Sequence, residues 1–255
     1  MKPIKQAVCW GCFYRDTMKP EEYVKVVKDT GFQAIDFAPE EHYPLIKDAG
    51  LEISLAIGHG TLRDGMNKRE NHDRIEEELL KSLETAEKFG IRNLCCFSGD
   101  RHFAIDDLVG TEICAEIMAR VAPVAEAKGV NLTMELLSSR DSHPGYMCDR
   151  TGWGVHMCKM SRSPRVKLLY DIFHMQSMEG DHIRTIRANI SWISHFHTAG
   201  HPGRRDLDDQ QEIYYPAIAR AVAELDFDGF VAHEYSPKGD PIGSMKAAYR
   251  TWLVE

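Results

Sequence analysis

Val166-Lys167-Leu168-Leu169-Tyr170-Asp171 is a short apolar run that ends in a carboxylate. Met175–Ala188 behind it has helical spacing, and Ile190–His197 is a second apolar run that ends in an imidazole. A strand, a helix and a strand in this order form a crossover unit whose two strands lie parallel. The same rhythm continues outward in both directions. Toward the N-terminus the strand runs are Gln6–Trp10, Ala34–Phe37, Glu52–Ile57, Asn93–Phe97 and Asn131–Leu136. Between them lie a helix opening at Lys19-Pro20-Glu21-Glu22 and stopped by Gly31, a short one from Glu40 to Ala49, and longer ones over Asn71–Phe89 and Leu108–Lys128. Proline just inside a helix start and glycine just past its end are the expected punctuation. A less regular piece carries a helix near Trp153–Met160, and the last third adds Ile213–Leu225, Gly229–Glu234 and Ile242–Leu253.

Eight strand–helix units in 255 residues predict an α/β chain folded as a closed (β/α)8 TIM barrel, one domain over residues 1–255. The alternative is a doubly wound open sheet. That fold expects a glycine-rich nucleotide turn after the first strand, and Cys9-Trp10-Gly11-Cys12-Phe13 is not one.

Composition narrows the function. With 39 acidic and 31 basic side chains the formal charge is -8, the wrong sign for a phosphate-backbone binder. The sequence has no apolar run of the ~20 residues that a membrane helix needs. The N-terminal Met1-Lys2-Pro3-Ile4-Lys5 lacks the apolar core of a signal peptide. A soluble, cytoplasmic protein that binds neither nucleic acid nor membrane is expected. The seven cysteines are scattered, and Cys9-Trp10-Gly11-Cys12 has no partner pair at zinc-finger distance, so free thiols are expected.

In a parallel barrel the chemistry sits at the carboxyl ends of the strands. Four consecutive runs deliver a potential metal ligand there: Asn131–Glu135 ends in Glu135, Val166–Asp171 in Asp171, His195-Phe196-His197 in His197, and Phe230–Glu234 in Glu234. Three carboxylates converging on one rim repel one another unless a cation or protons neutralise them. The oxygen-rich set favours Mg²⁺ or Mn²⁺, with Co²⁺ or Zn²⁺ able to substitute.

Several longer stretches carry a resemblance. Met134-Glu135, Tyr170-Asp171-Ile172-Phe173-His174-Met175-Gln176, His195-Phe196-His197-Thr198-Ala199-Gly200-His201-Pro202-Gly203-Arg204 and His233-Glu234-Tyr235 resemble the signatures of the xylose-isomerase-like barrels of the sugar phosphate isomerase/epimerase superfamily. Within it they are most similar to hydroxypyruvate isomerases and their ketose-epimerase relatives. Ser98-Gly99-Asp100-Arg101 is similar to a loop of the isomerases. The resemblance implies a metal on Glu135, Asp171, His197 and Glu234, an acid/base pair made of Glu135 and Glu234, and a homodimer or homotetramer. The chain departs from the isomerase pattern in carrying His197 where those enzymes generally have Gln, as the tagatose- and psicose-type epimerases do. The segment Arg205–Glu212 lacks the usual Gly-Glu pair, and Ile57-Gly58-His59-Gly60-Thr61 departs as well.

The residues suit such chemistry on their own terms. Isomerising an α-hydroxy carbonyl compound removes a weakly acidic C–H proton and returns one to the neighbouring carbon, work for two carboxylates. The oxygens that gain negative charge need a Lewis acid. His174 is a candidate donor to a substrate oxygen, or a cap of the helix behind Asp171. Arg204 is a candidate clamp for a substrate oxygen or carboxylate, or a partner only of Asp206 or Asp208. His59, Asp100 and Arg101 are further substrate-contact candidates, and Trp10, Phe13 and Trp153 candidate pocket walls. His195 shares a face with His197 by strand alternation and is expected one layer deeper. The leading expectation is a metal-dependent, hydroxypyruvate-isomerase-like enzyme working through an enediolate on a small hydroxy-carbonyl or sugar substrate. A ketose 3-epimerase, and a lyase or dehydratase of a keto-sugar or keto-inositol, are the alternatives. A DNA-repair endonuclease of the same superfamily and a sugar-binding barrel without catalysis fit the residues less well.

Overall fold

The computed structural model describes residues 3–254; Met1, Lys2 and Glu255, including part of the N-terminal segment read above, lie outside the described residues. Its elements in chain order are β1 (Lys5–Cys9), α1 (Trp10–Phe13), α2 (Pro20–Thr30), β2 (Ala34–Asp36), α3 (Tyr43–Asp48), β3 (Glu52–Ile57), α4 (His72–Phe89), β4 (Asn93–Cys96) and α5 (Asp107–Lys128). Then follow β5 (Asn131–Glu135), α6 (Thr151–Ser161), β6 (Val166–Asp171), α7 (Ile172–Met178), α8 (His182–Asn189), β7 (Ile193–Thr198), α9 (Tyr215–Ala223), β8 (Phe230–His233) and α10 (Pro241–Thr251). The eight strands pair in sequential order, and β8 closes on β1 as a parallel barrel.

The strands are short and nearly continuous in burial because each packs on both faces. The helices pack by one stripe: α4 buries Ile75, Leu79, Leu83 and Ala86. Its end is set by Gly90 at φ +71, a left-handed turn that a side chain would strain. Asp106 caps α5 and Asp240 caps α10 through their carboxylates. Phe230, Ala7, Ala34 and Ala232 form a small cluster of their own, separate from the main core between sheet and helices. Among the described residues, no helix is long and apolar enough to cross a membrane.

Two local differences from the sequence reading matter. The helix expected over Met175–Ala188 starts at Ile172 and is broken in two. Asp171 ends β6 and its Oδ1 accepts the backbone N–H groups of Phe173 and His174, so α7 begins directly off the strand. Gly180 and Asp181, at φ +65 and +44, then turn the chain before α8. Glu234 lies one residue beyond β8, where its backbone N–H donates to the Thr198 carbonyl at 3.0 Å and so prolongs the pairing with β7.

Candidate functional site

Strand register brings the acid ends together. Asp171 stands beside His197 across β6 and β7, and Thr198 beside His233 across β7 and β8. One ligand atom from each of Glu135, Asp171, His197 and Glu234 lies within 4.8 Å of all the others. His197 Nδ1 is 3.0 Å from Glu234 Oε2 and 3.6 Å from Glu135 Oε1. Glu135, Asp171 and His197 are buried, and Glu234 is partly exposed. The backbone of Glu135 is held by the Tyr146 hydroxyl, which donates to its carbonyl at 2.9 Å, and Oε2 accepts the Cys95 thiol at 3.5 Å.

Arg204 is the cation of the site. Its guanidinium binds the Glu234 carboxylate, stands 3.6 Å from Asp171 Oδ2, and lies over the Phe173 ring at 5.6 Å. Burial works against its charge, but Glu234, Asp171 and Glu135 more than offset this and keep it protonated. Burial also raises the Glu234 pKa, yet Arg204 and His197 win and hold this carboxylate ionised, well below its usual range. Asp171 goes the other way: burial raises its pKa and Arg204 only partly counters. For His197 burial opposes the charge, but Glu234, Asp36 and Glu135 surround the ring and push its pKa well above normal. Burial and the charge of Arg204 pull His174 down to about 3, so this ring is neutral.

The donor set fits a divalent cation. Asp171 Oδ2 and His197 Nδ1 are buried without a hydrogen-bond partner, although His197 Nδ1 has a carboxylate in ion-pair range. Buried polar atoms are otherwise satisfied in nearly every case. Three carboxylates and one imidazole nitrogen facing one small volume are the ligands that a hard cation selects.

The other sequence candidates divide into two groups. His174 joins the cluster: its Nε2 is 3.6 Å from Asp171 Oδ2, and neither ring nitrogen has a hydrogen-bond partner. Its backbone N–H donates to Asp171, so Asp171 and not His174 caps the helix. Arg204 pairs with Glu234 and Asp171, while Asp206 binds Ser244 and the Lys238 backbone and Asp208 binds Lys238. His59, Asp100 and Arg101 are not brought into the carboxylate cluster. His59 Nε2 accepts the Phe97 N–H at 2.9 Å, and the ring lines a cavity of about 270 Å³ with Glu40, Tyr43, Glu78 and Lys81. Burial lowers its pKa to about 4. Arg101 is engaged by Asp107 and Asp149 and by the Tyr146 carbonyl. The backbone of Asp100 bridges to Tyr146, and its carbonyl accepts from Asn67. Trp10 stacks on His42 and Phe13 packs on Tyr235, both buried, and Trp153 donates to the Asp107 carbonyl. All seven cysteines are free, Cys12 being partly exposed and the rest buried.

Sequence reading passed over Asp36. It is fully buried at the end of β2 and accepts from Ser54 Oγ, from His195 Nε2 at 2.6 Å and from His197 Nε2 at 3.2 Å. His195 therefore does lie behind His197. A signal was present: Ala34-Ile35-Asp36 is one more apolar run that ends in an acid.

Comparison with known proteins agrees with the architecture. The 2-oxo-tetronate isomerase of Cupriavidus necator is 33% identical over 123 residues, 48% of this chain and 46% of that protein. The D-psicose 3-epimerase of Ruminiclostridium cellulolyticum is 27% identical over 207 residues, 78% of this chain and 69% of that protein. The chain spans about half the length of the first of these relatives. The crystal structure of a family 2 AP endonuclease from Brucella melitensis superposes with a TM-score of 0.81 at 20% identity, covering 95% of this chain and 97% of that one, a likeness of fold. The family model of the xylose isomerase-like TIM barrels matches residues 22–253, nearly the whole sequence. The chain belongs to the xylose isomerase-like TIM barrel family.

Proposed function

We propose that this protein is an isomerase of the hydroxypyruvate-isomerase type. It would interconvert a small α-hydroxy aldehyde or ketone by moving a proton between neighbouring carbons. The observation that carries this reading is the convergence of Glu135 and Glu234, from strands three places apart around the ring, on the same His197 nitrogen. Two carboxylates so placed can take a proton from one carbon and return one to the next. Glu234, held ionised by Arg204, is ready to accept the C–H proton. Glu135 returns a proton to the neighbouring carbon while the hydroxyl proton passes to the former carbonyl oxygen, and the two exchange roles when the reaction reverses. His174, neutral and with both nitrogens unpartnered, donates a hydrogen bond to a substrate oxygen without competing for the transferred proton. Arg204 steadies the carboxylates and offers its remaining N–H groups to a substrate oxygen. Glu135, Asp171, His197 and Glu234 would hold a divalent cation, Mg²⁺ or Mn²⁺ by preference, which supplies positive charge beside oxygens that become negative as the proton leaves.

A second reading is a ketose 3-epimerase. The match to the D-psicose 3-epimerase runs over 78% of this chain, and that to the 2-oxo-tetronate isomerase over 48%. Epimerisation begins with the same proton removal and returns the proton to the same carbon. Proton NMR in D₂O, on protein stripped of metal and refilled with Mg²⁺ or Mn²⁺, separates the two. The panel is hydroxypyruvate, several ketoses and a keto-inositol. Metal-dependent loss of the C–H signal beside a carbonyl is expected, with a new aldehyde–ketone pair for an isomerase and a new ketose for an epimerase. Loss of water from the product would reassign the chain as a dehydratase. Absence of exchange throughout the panel would count against proton-transfer chemistry on these substrates.

A further inference from the structure

We propose that Asp36 is a positioning residue that fixes the proton of His197 on Nε2 and thereby leaves Nδ1 free as a metal ligand. The inference rests on the reading of His197 as a ligand. An ionised carboxylate only accepts, so a ring nitrogen that bonds to it must carry a proton. Asp36 Oδ2 takes both His195 Nε2, at 2.6 Å, and His197 Nε2, at 3.2 Å. Both rings are completely buried, as is Asp36. With its Nε2 proton held by Asp36, the ring can offer a lone pair only at Nδ1, the atom that faces Glu135 and Glu234, whether or not Nδ1 carries a proton before a cation arrives.

The alternative placement of that proton is close at hand. Glu234 Oε2 lies 3.0 Å from His197 Nδ1, so a proton on Nδ1 would find an acceptor there. That tautomer would consume the lone pair needed by a cation and direct it away from the ligand volume. Asp36 decides between the two. A carboxylate behind a metal-binding histidine commonly sets both its tautomer and its ring orientation.

Asp36 is itself held from several strands. Ser54 on β3 donates to its Oδ1, leaving Oδ2 for the two rings, and His195 on β7 occupies the side away from the rim. The residue sits where the β2–β3 register shifts, between Ile35 and Asp36. The next residue, Phe37, has a left-handed backbone at φ +52, unusual for a bulky side chain, and its ring meets the His197 ring edge-on at 5.7 Å. The bulge thus supplies two contacts to one imidazole, a hydrogen bond through Asp36 and a packing wall through Phe37.

The test is Mn²⁺ binding by the full chain, read from the electron paramagnetic resonance of the free ion, for wild type, Asp36→Asn and Asp36→Glu. Melting by circular dichroism runs alongside. Asp36→Asn should bind Mn²⁺ about 10- to 100-fold more weakly, and Asp36→Glu should recover part of the loss. An Mn²⁺ affinity within twofold of wild type in a folded Asp36→Asn protein would overturn the inference and leave the cation site standing. Failure of the wild type to bind Mn²⁺ would overturn both the inference and the reading on which it rests. A second measurement needs no variant and is independent of whether Asp36→Asn folds. In the Mg²⁺-loaded wild type, ¹⁵N-resolved histidine NMR should show the His197 proton on Nε2, and a proton on Nδ1 would overturn the assignment.

Discussion

The two ends of the barrel treat polar groups in opposite ways. At the amino ends of the strands they are paired: Asn93 donates to the Ser54 carbonyl at 2.9 Å, Asn131 donates to Asn93 at 2.9 Å, and Thr133 meets Ser194 at 3.1 Å. Lys5 and Arg92 flank Asp228 at the same end. At the carboxyl ends polar groups are assembled and left open. Among the described residues nine buried side-chain atoms lack a hydrogen-bond partner; four belong to Asp171, His174 and His197 at this rim, and a fifth, His195 Nδ1, lies behind them. Scattered orphans would indicate poor packing; four in one cluster point to a site prepared for something outside the chain. One end of the sheet is arranged for stability, the other for chemistry.

The sharpest way to break this comparison is to neutralise the proposed acid/base pair. Glu135→Gln and Glu234→Gln should each lower turnover by about 10²- to 10⁴-fold while the circular dichroism melt stays near that of wild type. Wild-type rates in both would remove the catalytic reading. A next smaller effect comes from filling the site. Mn²⁺ at 100 times its dissociation constant should stabilise the native state by about 2.7 kcal/mol, visible as a melting shift of several degrees. Asp171→Asn should abolish that shift without lowering the melting point of the metal-free protein, because it removes a buried charge and keeps an oxygen to cap α7.

The mirror-image variant lies at the other end. Asn93→Ala strands the partners of a buried amide and should cost about 1–3 kcal/mol in urea unfolding, with turnover unchanged once the protein is folded. An equal loss of activity and stability there would blur the division between the ends. The smallest effect concerns pH. Burial holds His59 and His182 neutral, each with a pKa lowered to about 4, His182 lying between the Tyr170 hydroxyl and the Gln176 carbonyl oxygen. The unfolded chain takes up those protons near pH 6.5 and the native state does not. The contribution is therefore complete above pH 6.5 and declines as pH falls toward 4. At pH 5.5 the loss should be about 1 kcal/mol per histidine, and His182→Gln should flatten the urea-midpoint profile between pH 7 and 5.5.

Most of the barrel is legible in the sequence because parallel strands buried on both faces read as short apolar runs, and glycine marks the helix ends. The convergence of Glu135, Asp171, His197 and Glu234 is legible for a related reason: each stands at or just past the last residue of such a run. Asp36 obeys the same rule and escaped it. β2 is only three residues long, too short a run for its end to stand out. Arg101 shows a different gap. An arginine in a loop beside an expected mouth invites a substrate role, and nothing local reveals Asp149, 48 residues away, as its partner. Long-range pairings of this kind are written in the packing of two loops and in no periodicity.

The direct passage from β6 into α7 has a further consequence for anyone wishing to rebuild this rim. With Asp171 both closing the strand and capping the helix, this spoke of the wheel has no connector to lengthen, shorten or exchange. A graft there would cut through the carboxylate cluster. The stretches 97–106, 136–150 and 205–214, at the same rim, carry the interchangeable length, with Tyr146 beneath Glu135 excepted. Libraries for a new substrate belong in those three segments, and the β6–α7 junction is the fixed point against which they are tuned.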